Sequence, residues 1–447
     1  MDHVPTVASS APARMPAWKR RVSRRTVLAT GGAAAAATAV AVLWKGNDLT
    51  QVMDRVRDLT HGYPGALRDE RVRVSHLLRR AGFGATPGEL DRYATMGTTA
   101  ATTALLDYQK VSNAALDTKL PIIDFSGARP AASAGAIQGW WLQRMTETAR
   151  PLEEKMTLFW HGLLTSGLDK AGPAQVFTQN ALFRSMALGN FDDLLKAVSK
   201  DPAMMVYLDT ETNRKGKPNE NYARELMELF TTGVGHYTEI DVRESARAFT
   251  GWTLTGARQL RLTTGSTFVP RLHDDASKTF MRKTGNFTGD DIIEMLVPLR
   301  ATAERLSTNA FYSEKVYRAL VKSPAELVAQ TIKASGADER SYVLAAQAMA
   351  PMGQLLFYPP NVAGWPGGTS WINGSTLLAR INFANAAAQR MTVALPAQSL
   401  DQLLHTLVDA NVSQSTKDAL QAYAKEHPGD QAGLLFMVMA TPEFQLN

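Results

Sequence analysis

Apolar positions recur at helical spacing through most of the chain, most clearly between residues 219 and 252. There Tyr222, Leu226, Leu229 and Phe230 fall at i, i+4, i+7 and i+8, which draws one stripe along a helix and aims it at a core. Gly233 and Gly235 supply the backbone freedom for a C-terminal cap and a turn. Thr238 with Asp241 three residues later resembles a capping box with Asp in place of Glu, so a second helix starts at once. It carries Val242, Ala246 and Phe249 inward and stops at Gly251. The polar positions are as regular: Glu220, Arg224 and Glu228 stand at i, i+4 and i+8, Glu225 lies one turn from Asn221, and Glu239, Arg243 and Arg247 run beside the second stripe. Two readings stay open, an ion-pair network that locks two helices together, or a pocket floored by Glu225, Glu228 and Arg224 with His236 at the turn.

The same period places the other elements. Residues 75–84 form a short helix ending in a Gly turn, and Thr86, Pro87 and Glu89 open the next. Asn113 to Ala136, rich in Ala, Pro and Gly, reads as a loop. Two helices follow from Ile137 to Leu164, the second opened by Pro151. Its apolar Leu152, Met156, Phe159, Trp160, Leu163 and Leu164 leave Lys155 and His161 as the informative polar positions. Glu154 and His161 share a face but stand two turns apart, roughly 10 Å along the axis, too far to ligate one metal together. Asn190 and Asp201-Pro202 mark further helix starts, and Asn213 to Pro218 form a basic loop. Leu254 to Phe268 alternates Thr with apolar residues around Gly256 and Gly265, as a small β-hairpin does. Asp290 and Asp291 head a short helix. Phe357 to Asn373 is too rich in Pro and Gly for regular helix. Its Phe357, Tyr358, Trp365 and Trp371 can stack on a flat ligand such as a sugar ring, or plug the end of a helical core. Helix returns over 375–391 and 400–446, broken near Pro428. The expected fold is mainly α, a multi-helix orthogonal bundle with a small β-hairpin excursion near 253–270.

Charge changes the picture only at the N-terminus. The 447 residues carry 48 Lys and Arg against 42 Asp and Glu, a net of +6. Arg14, Lys19, Arg20, Arg21, Arg24 and Arg25 precede an uncharged, Ala-rich stretch from Thr26 to Trp44. Ser23-Arg24-Arg25-Thr26-Val27-Leu28 resembles a twin-arginine export signal, so residues 1–44 read as a signal or anchor, residues 45–72 as a linker, and residues 73–447 as one large helical domain. Six basic residues less Asp2 give the leader +5, which leaves the remainder near +1 (6 minus 5). That balance gives no nucleic-acid footprint, and membrane contact is expected only through the leader. With no cysteine there is no disulfide, thiolate nucleophile or Cys-ligated metal. No P-loop, GxGxxG or GxSxG pattern and no internal repeat is found.

Candidate chemistry follows from residue type. For an exported hydrolase or lyase acting on an extracellular polymer, Glu225 or Glu228 is the acid or base, and His161 or His236 relays protons. Arg224 and Lys278 hold an anionic group. Asn219, Glu220, Arg243, Trp252, His273, Trp365, Trp371 and Asn373 complete the candidate ligand-binding set. The competing class is a binding or scaffold protein acting with a partner, in which the same polar residues are structural. His76 reads as packed, and the spacing of His273, Asp274 and Asp275 matches no familiar metal loop. Twin-arginine export carries folded proteins, so a cofactor loaded before transport is a third idea, its identity unknown.

Several stretches together resemble the bacterial family called domain of unknown function 1800: HLLRRAGFGATPGEL, EEKMTLFWHGLLTS, NENYARELMELFTTGVGHYTEIDVRESARAFTGWT, HDDASKTF, TGNFTGDDII, KSPAELV and PPNVAGWPGGTSWINGSTLLARINF. The resemblance implies export, a mainly helical fold and a sulfatase-like partner protein, and it supplies no reaction. Members often carry a second histidine two places after the one matching His161, where this chain has Leu163. Near 303–309 the chain lacks a helical segment usual in the family.

Overall fold

The structure, a computed structural model, describes residues 68–123, 125, 130–255, 265–309, 320–335, 339–394 and 398–446. The leader, most of the linker and the Gly256 turn lie outside the described residues. Helices begin where the sequence offers a side-chain cap. In α1 (Glu70–Arg80) Asp69 accepts from the Arg71 amide at 2.8 Å. In α2 (Pro87–Met96) Thr86 and Glu89 close a reciprocal box, and α3 (Thr98–Leu106) follows a one-residue turn at Gly97. These three helices bury Val74, Leu78, Leu90, Tyr93, Ala101 and Leu105 against Leu152.

The loop expected over 113–136 is instead partly helical: α4 spans Ala114–Lys119, and α5 runs Pro130–Glu147. Pro130 suits a first helical turn, and alanine is the strongest helix former. Within α5, Gly139 lets the later helix Glu339–Ala348 approach so closely that a Cβ there would lie 2.7 Å from Val343 Cγ2. Then come α6 (Pro151–Leu163), α7 (Pro173–Ser185), α8 (Phe191–Ser199) and α9 (Pro202–Tyr207), the last two capped by Asn190 and Asp201.

The central hairpin forms. α10 starts as Asn221–Glu225, widens into a π turn over Leu226–Phe230, and buries Tyr222, Leu226 and Phe230. The Thr231 and Thr232 hydroxyls take the Leu226 and Met227 carbonyls at 2.6 and 3.2 Å, satisfying acceptors left by the widened turn. α11 (Glu239–Ala248) opens on the Thr238–Asp241 box. β1 (Trp252–Thr255) pairs antiparallel with β2 (Gly265–Phe268), Trp252 opposite Phe268. A second pair, β3 (Lys278–Phe280) with β4 (Lys283–Gly285), was not legible. Met281 and Arg282 hold positive φ at its turn, where the usual sequence signal is Asn-Gly or Asp-Gly.

The remainder is α12 (Gly289–Leu296), α13 (Arg300–Asn309), α14 (Pro324–Ser335), α15 (Glu339–Ala348), α16 (Gly374–Ala394), α17 (Leu400–Val408), α18 (Gln414–Glu426) and α19 (Gln431–Met439). The chain is thus mainly α with two small β-hairpins. Among the described residues no helix is long and apolar enough to cross a membrane.

Two large apolar clusters fill the interior, one around α5, α14, α16 and α19, the other around α8, α10, α11 and α12. α6 touches both and the small N-terminal one. Leu152 joins the α1–α3 cluster, Trp160 joins the hairpin side, and Leu158 packs against the C-terminal side. A helix covered on several sides has to bury its polar residues too, and Glu153, Glu154, Lys155, Thr157 and His161 are all buried.

Candidate functional site

Each buried polar group on α6 needs a partner, since an unpaired one costs free energy. Glu154, 0 % exposed, accepts from Arg144 Nε at 2.8 Å, Arg184 Nε at 2.5 Å, Arg184 Nη2 at 3.0 Å and Trp141 Nε1 at 3.0 Å, which pins α5 and α7 to α6. Burial pushes its carboxyl up, but Arg184 and then Arg144 outweigh that and hold it below the usual range.

Lys155, 5 % exposed, spends its ammonium on the Arg79 carbonyl at 3.3 Å, the Gly82 carbonyl at 3.1 Å and Glu326 Oε1. Burial lowers its pKa, opposed by Glu326. Glu326 sits in the first turn of α14, where its Oε2 accepts from the Ser323 amide at 2.8 Å. Burial would raise its carboxyl, and the Lys155 charge reverses the direction. The result is an internally neutral pair.

His161, one and a half turns further along α6, is 1 % exposed. The Phe357 amide donates to its Nε2 at 3.3 Å, which leaves the ring proton on Nδ1, and burial lowers the pKa to about 3. It is a neutral acceptor at ordinary pH. That contact holds Phe357 at φ +64°, a left-handed backbone costly for an aromatic residue, and the Leu168 amide secures the Phe357 carbonyl at 2.8 Å. From Phe357 the chain crosses the end of α6. Gly364 rests on the Gly162 carbonyl so closely that a Cβ would lie 2.3 Å away. Trp365 stands 5.4 Å from the His161 ring, centroid to centroid.

Between α6, the start of α14 and this loop lies a recess of about 450 Å³. Phe159, Trp365 and Trp371 give it aromatic walls, and Lys155, Glu326 and Gln354 are its chemically distinctive polar lining. Gly162 also lines it, and a Cβ added there would meet nothing within 4 Å. The volume lies in the range of small-molecule sites, roughly 300–1,000 Å³.

Of the residues singled out in the sequence, Trp365 and Trp371 meet at the recess, with His161 just behind it. Lys155, singled out as an informative polar position, lines it too, and the remaining candidate catalytic and ligand-binding residues do not. Arg224 pairs with Glu239 at 2.7 Å and Glu220 at 3.2 Å on the half-exposed face of the hairpin, so the expected run to Glu228 is replaced by a bridge across to α11. Glu228 accepts from the Tyr237 hydroxyl at 3.3 Å. Glu225 is half-buried, its carboxyl pushed up by burial and then by Glu228. His236 and Arg243 are exposed. Asn219 ties its own loop, donating to Thr212 Oγ1 at 3.1 Å and accepting from the Asn221 amide at 3.0 Å. Trp252 lies under Lys200, 5.3 Å from ammonium to ring centre. His273 donates through Nδ1 to the Thr250 carbonyl at 2.8 Å, and Lys278 to the Asp274 and Ala276 carbonyls at 2.5 and 3.0 Å. Asn373 caps α16, accepting from the Ser375 amide at 3.1 Å. Among the described residues no group of three or more His, Cys, Asp or Glu could hold a metal ion.

Lys155 had drawn notice in the sequence, but its partner Glu326 and the recess residue Gln354 had not. Glu326 lies 171 positions away, and its only local signal is the Ser323–Glu326 capping pattern inside KSPAELV.

Fold and recess together define a mainly helical protein with a small-molecule-sized hollow framed by aromatic side chains and a neutral ion pair. The chain belongs to the family described as "Protein of unknown function (DUF1800)", whose profile matches residues 76–310 and 306–446. No curated protein and no solved structure matches it.

Proposed function

We propose that the chain is an exported protein of the cell envelope or extracellular space that works by reversible binding in the α6 recess, alongside a partner. The observation that carries this reading is the state of the charges around the recess. Lys155 and Glu326 neutralise each other, and His161 is a neutral acceptor committed to a backbone amide. No free acid or base remains on that wall, whereas the aromatic surface of Phe159, Trp365 and Trp371 does. The test is tryptophan emission of the exported full chain across charged, apolar and neutral small ligands, wild type against Gly162→Phe. Binding predicts a ligand that shifts emission in the wild type only and is recovered unchanged. A panel whose effects are identical in the two proteins sinks it.

Export rests on the leader. Replacing Arg24 and Arg25 by lysine should retain the protein in the cytoplasm, and undiminished export would contradict the twin-arginine route. The twin-arginine machinery is then a transient partner, and the sulfatase-like protein implied by the family resemblance is the candidate lasting one. Co-purification of that protein with the exported chain tests the second.

A second reading, a hydrolase or lyase on an extracellular polymer, is favoured by one observation: Glu225 is half-buried beside Glu228 with its carboxyl raised, as suits a general acid. Polymer cleavage that survives both Glu225→Gln and Glu228→Gln would remove it.

A further inference from the structure

We propose that the α6 recess is a subsite for a neutral carbohydrate, one ring of a glycan of the envelope or its surroundings, held by stacking and by a matched donor and acceptor. The inference rests on the binding reading above and names its ligand class.

The argument starts from the hydrogen-bonding groups left over. Gln354 is 5 % exposed and anchors its Oε1 on the Ala325 amide at 3.0 Å, while its Nε2 finds no acceptor among the described residues. Two N–H donors of a nearly buried side chain are thus left for whatever enters the recess that Gln354 lines. Next in the chain to Ala325, whose amide Gln354 holds, each Glu326 oxygen accepts from Lys155 or Ser323 and keeps acceptor capacity. A ligand that fits must therefore both accept and donate, which a hydroxyl does and a carboxylate, phosphate or ammonium does not.

Charge narrows the class further. An anion would meet the Glu326 carboxylate and could not recruit Lys155, whose three N–H groups already have acceptors. A cation would find Glu326 neutralised by Lys155. A purely apolar molecule would strand the Gln354 amide without a partner. The remaining walls are apolar, aliphatic at Leu158, Leu163, Leu320 and Val321 and aromatic at Phe159, Trp365 and Trp371, and the aromatic ones suit the C–H faces of a sugar ring. At the mouth, Gly367 and Gly368 hold positive φ, and a Cβ on either would meet nothing within 4 Å, so an extended chain has room to continue outward.

The experiment titrates the exported full chain with maltohexaose, cellohexaose and chitohexaose as neutral probes. Oligogalacturonate, chitosan hexamer and 1-anilinonaphthalene serve as anionic, cationic and apolar probes. Tryptophan emission and calorimetry report binding. The expected result is that a neutral oligosaccharide binds and that Gly162→Phe and Trp365→Leu each weaken it roughly ten-fold or more, with cooperative urea transitions of unchanged slope showing that both variants fold. If the charged or apolar probes bind in a Gly162-dependent way and the neutral ones do not, the carbohydrate assignment falls while the binding reading stands. If neutral sugars bind but ignore both substitutions, the assignment of this recess falls. If no probe of any class binds, both fall.

Discussion

Replacing Glu154 by glutamine should be among the most damaging conservative changes in the protein. The side chain keeps its size and one acceptor oxygen for Trp141, but two guanidinium groups lose their counter-ion. Arg144 retains Asp117 at 2.7 Å, on a half-exposed carboxylate, and Arg184 retains hydrogen bonds only to the neutral Asn180, its Oδ1 at 2.7 Å and its carbonyl at 3.5 Å. Arg184 is therefore the group left most nearly alone in a buried site. Breaking such a pair typically costs about 3–5 kcal/mol, against a total stability on the order of 5–15 kcal/mol for a folded domain. The midpoint of urea unfolding at pH 7 measures this, with the slope expected to stay constant. The carboxyl of Glu154 is lowered in the fold, so its stabilisation is present above the unfolded carboxylate range and is lost as pH falls through the folded value. The Glu154→Gln penalty should accordingly shrink below about pH 4. Replacing Glu154, Arg144 and Arg184 together by Leu, Met and Met should recover most of the loss, because apolar substitution removes the stranded charges as well. A penalty under about 1 kcal/mol at neutral pH, or a triple variant no better than the single one, would refute the account of α6 as a helix held by paired charge.

Three further outcomes are expected. Gly162→Ala should raise stability by up to about 1 kcal/mol in urea unfolding, because it removes a glycine from the last turn of α6 at a place where a Cβ meets nothing. Asp201 is buried with only Gln179 and amide partners, and burial pushes its carboxyl up to about 7. The neutral acid is thus favoured in the fold, and its contribution, present below the unfolded value of 3.8, is lost as pH rises towards 7. Three units correspond to about 4 kcal/mol at most. Asp201→Asn, which keeps a capping oxygen, should match the wild type at pH 4, exceed it at pH 8, and flatten the dependence between. Thr238→Ala should cost about 1 kcal/mol through loss of the α11 cap, read as a lowered urea midpoint with unchanged slope.

What the sequence disclosed was whatever is settled within about eight residues. The Tyr222, Leu226 and Phe230 stripe, the boxes at Thr86 and Thr238 and the Asp201-Pro202 start all depend on local geometry, and all are present. The centre of the molecule was harder to read because its partners are remote. Glu154 closes on Arg184 30 positions away, Lys155 on Glu326 171 away, and Arg79 on Asp409 330 away. A periodic pattern reports which face of a helix is apolar and cannot report that a second face is covered by another segment. Lys155 and Glu154 therefore stood out in the sequence only as polar positions on a mostly apolar helix, with no partner in view. The aromatic loop from Phe357 to Asn373 was visible as irregular backbone, but nothing local indicated that His161 holds it.

The concentration of ionisable residues that marks the hairpin in the sequence and the quieter polar residues of α6 separate two uses of charge. On the hairpin, Arg224, Glu220 and Glu239 pair where water reaches them, and exposed pairs of this kind contribute little, typically under 1 kcal/mol. On α6 the pairs are dry, and a buried pair stabilises no better than apolar packing would. What it provides is register, because a guanidinium or ammonium satisfied by several oxygens tolerates few alternative positions. Three such anchors at Glu154, Lys155 and His161 fix α5, α7, α14 and the aromatic loop against one helix. A recess framed by elements held this way keeps its shape without a ligand. Its contents are then selected by a rigid outline and by the few donors and acceptors not consumed in building it, which is the physical basis for expecting recognition there and for giving the unspent Gln354 amide on its wall a part in it.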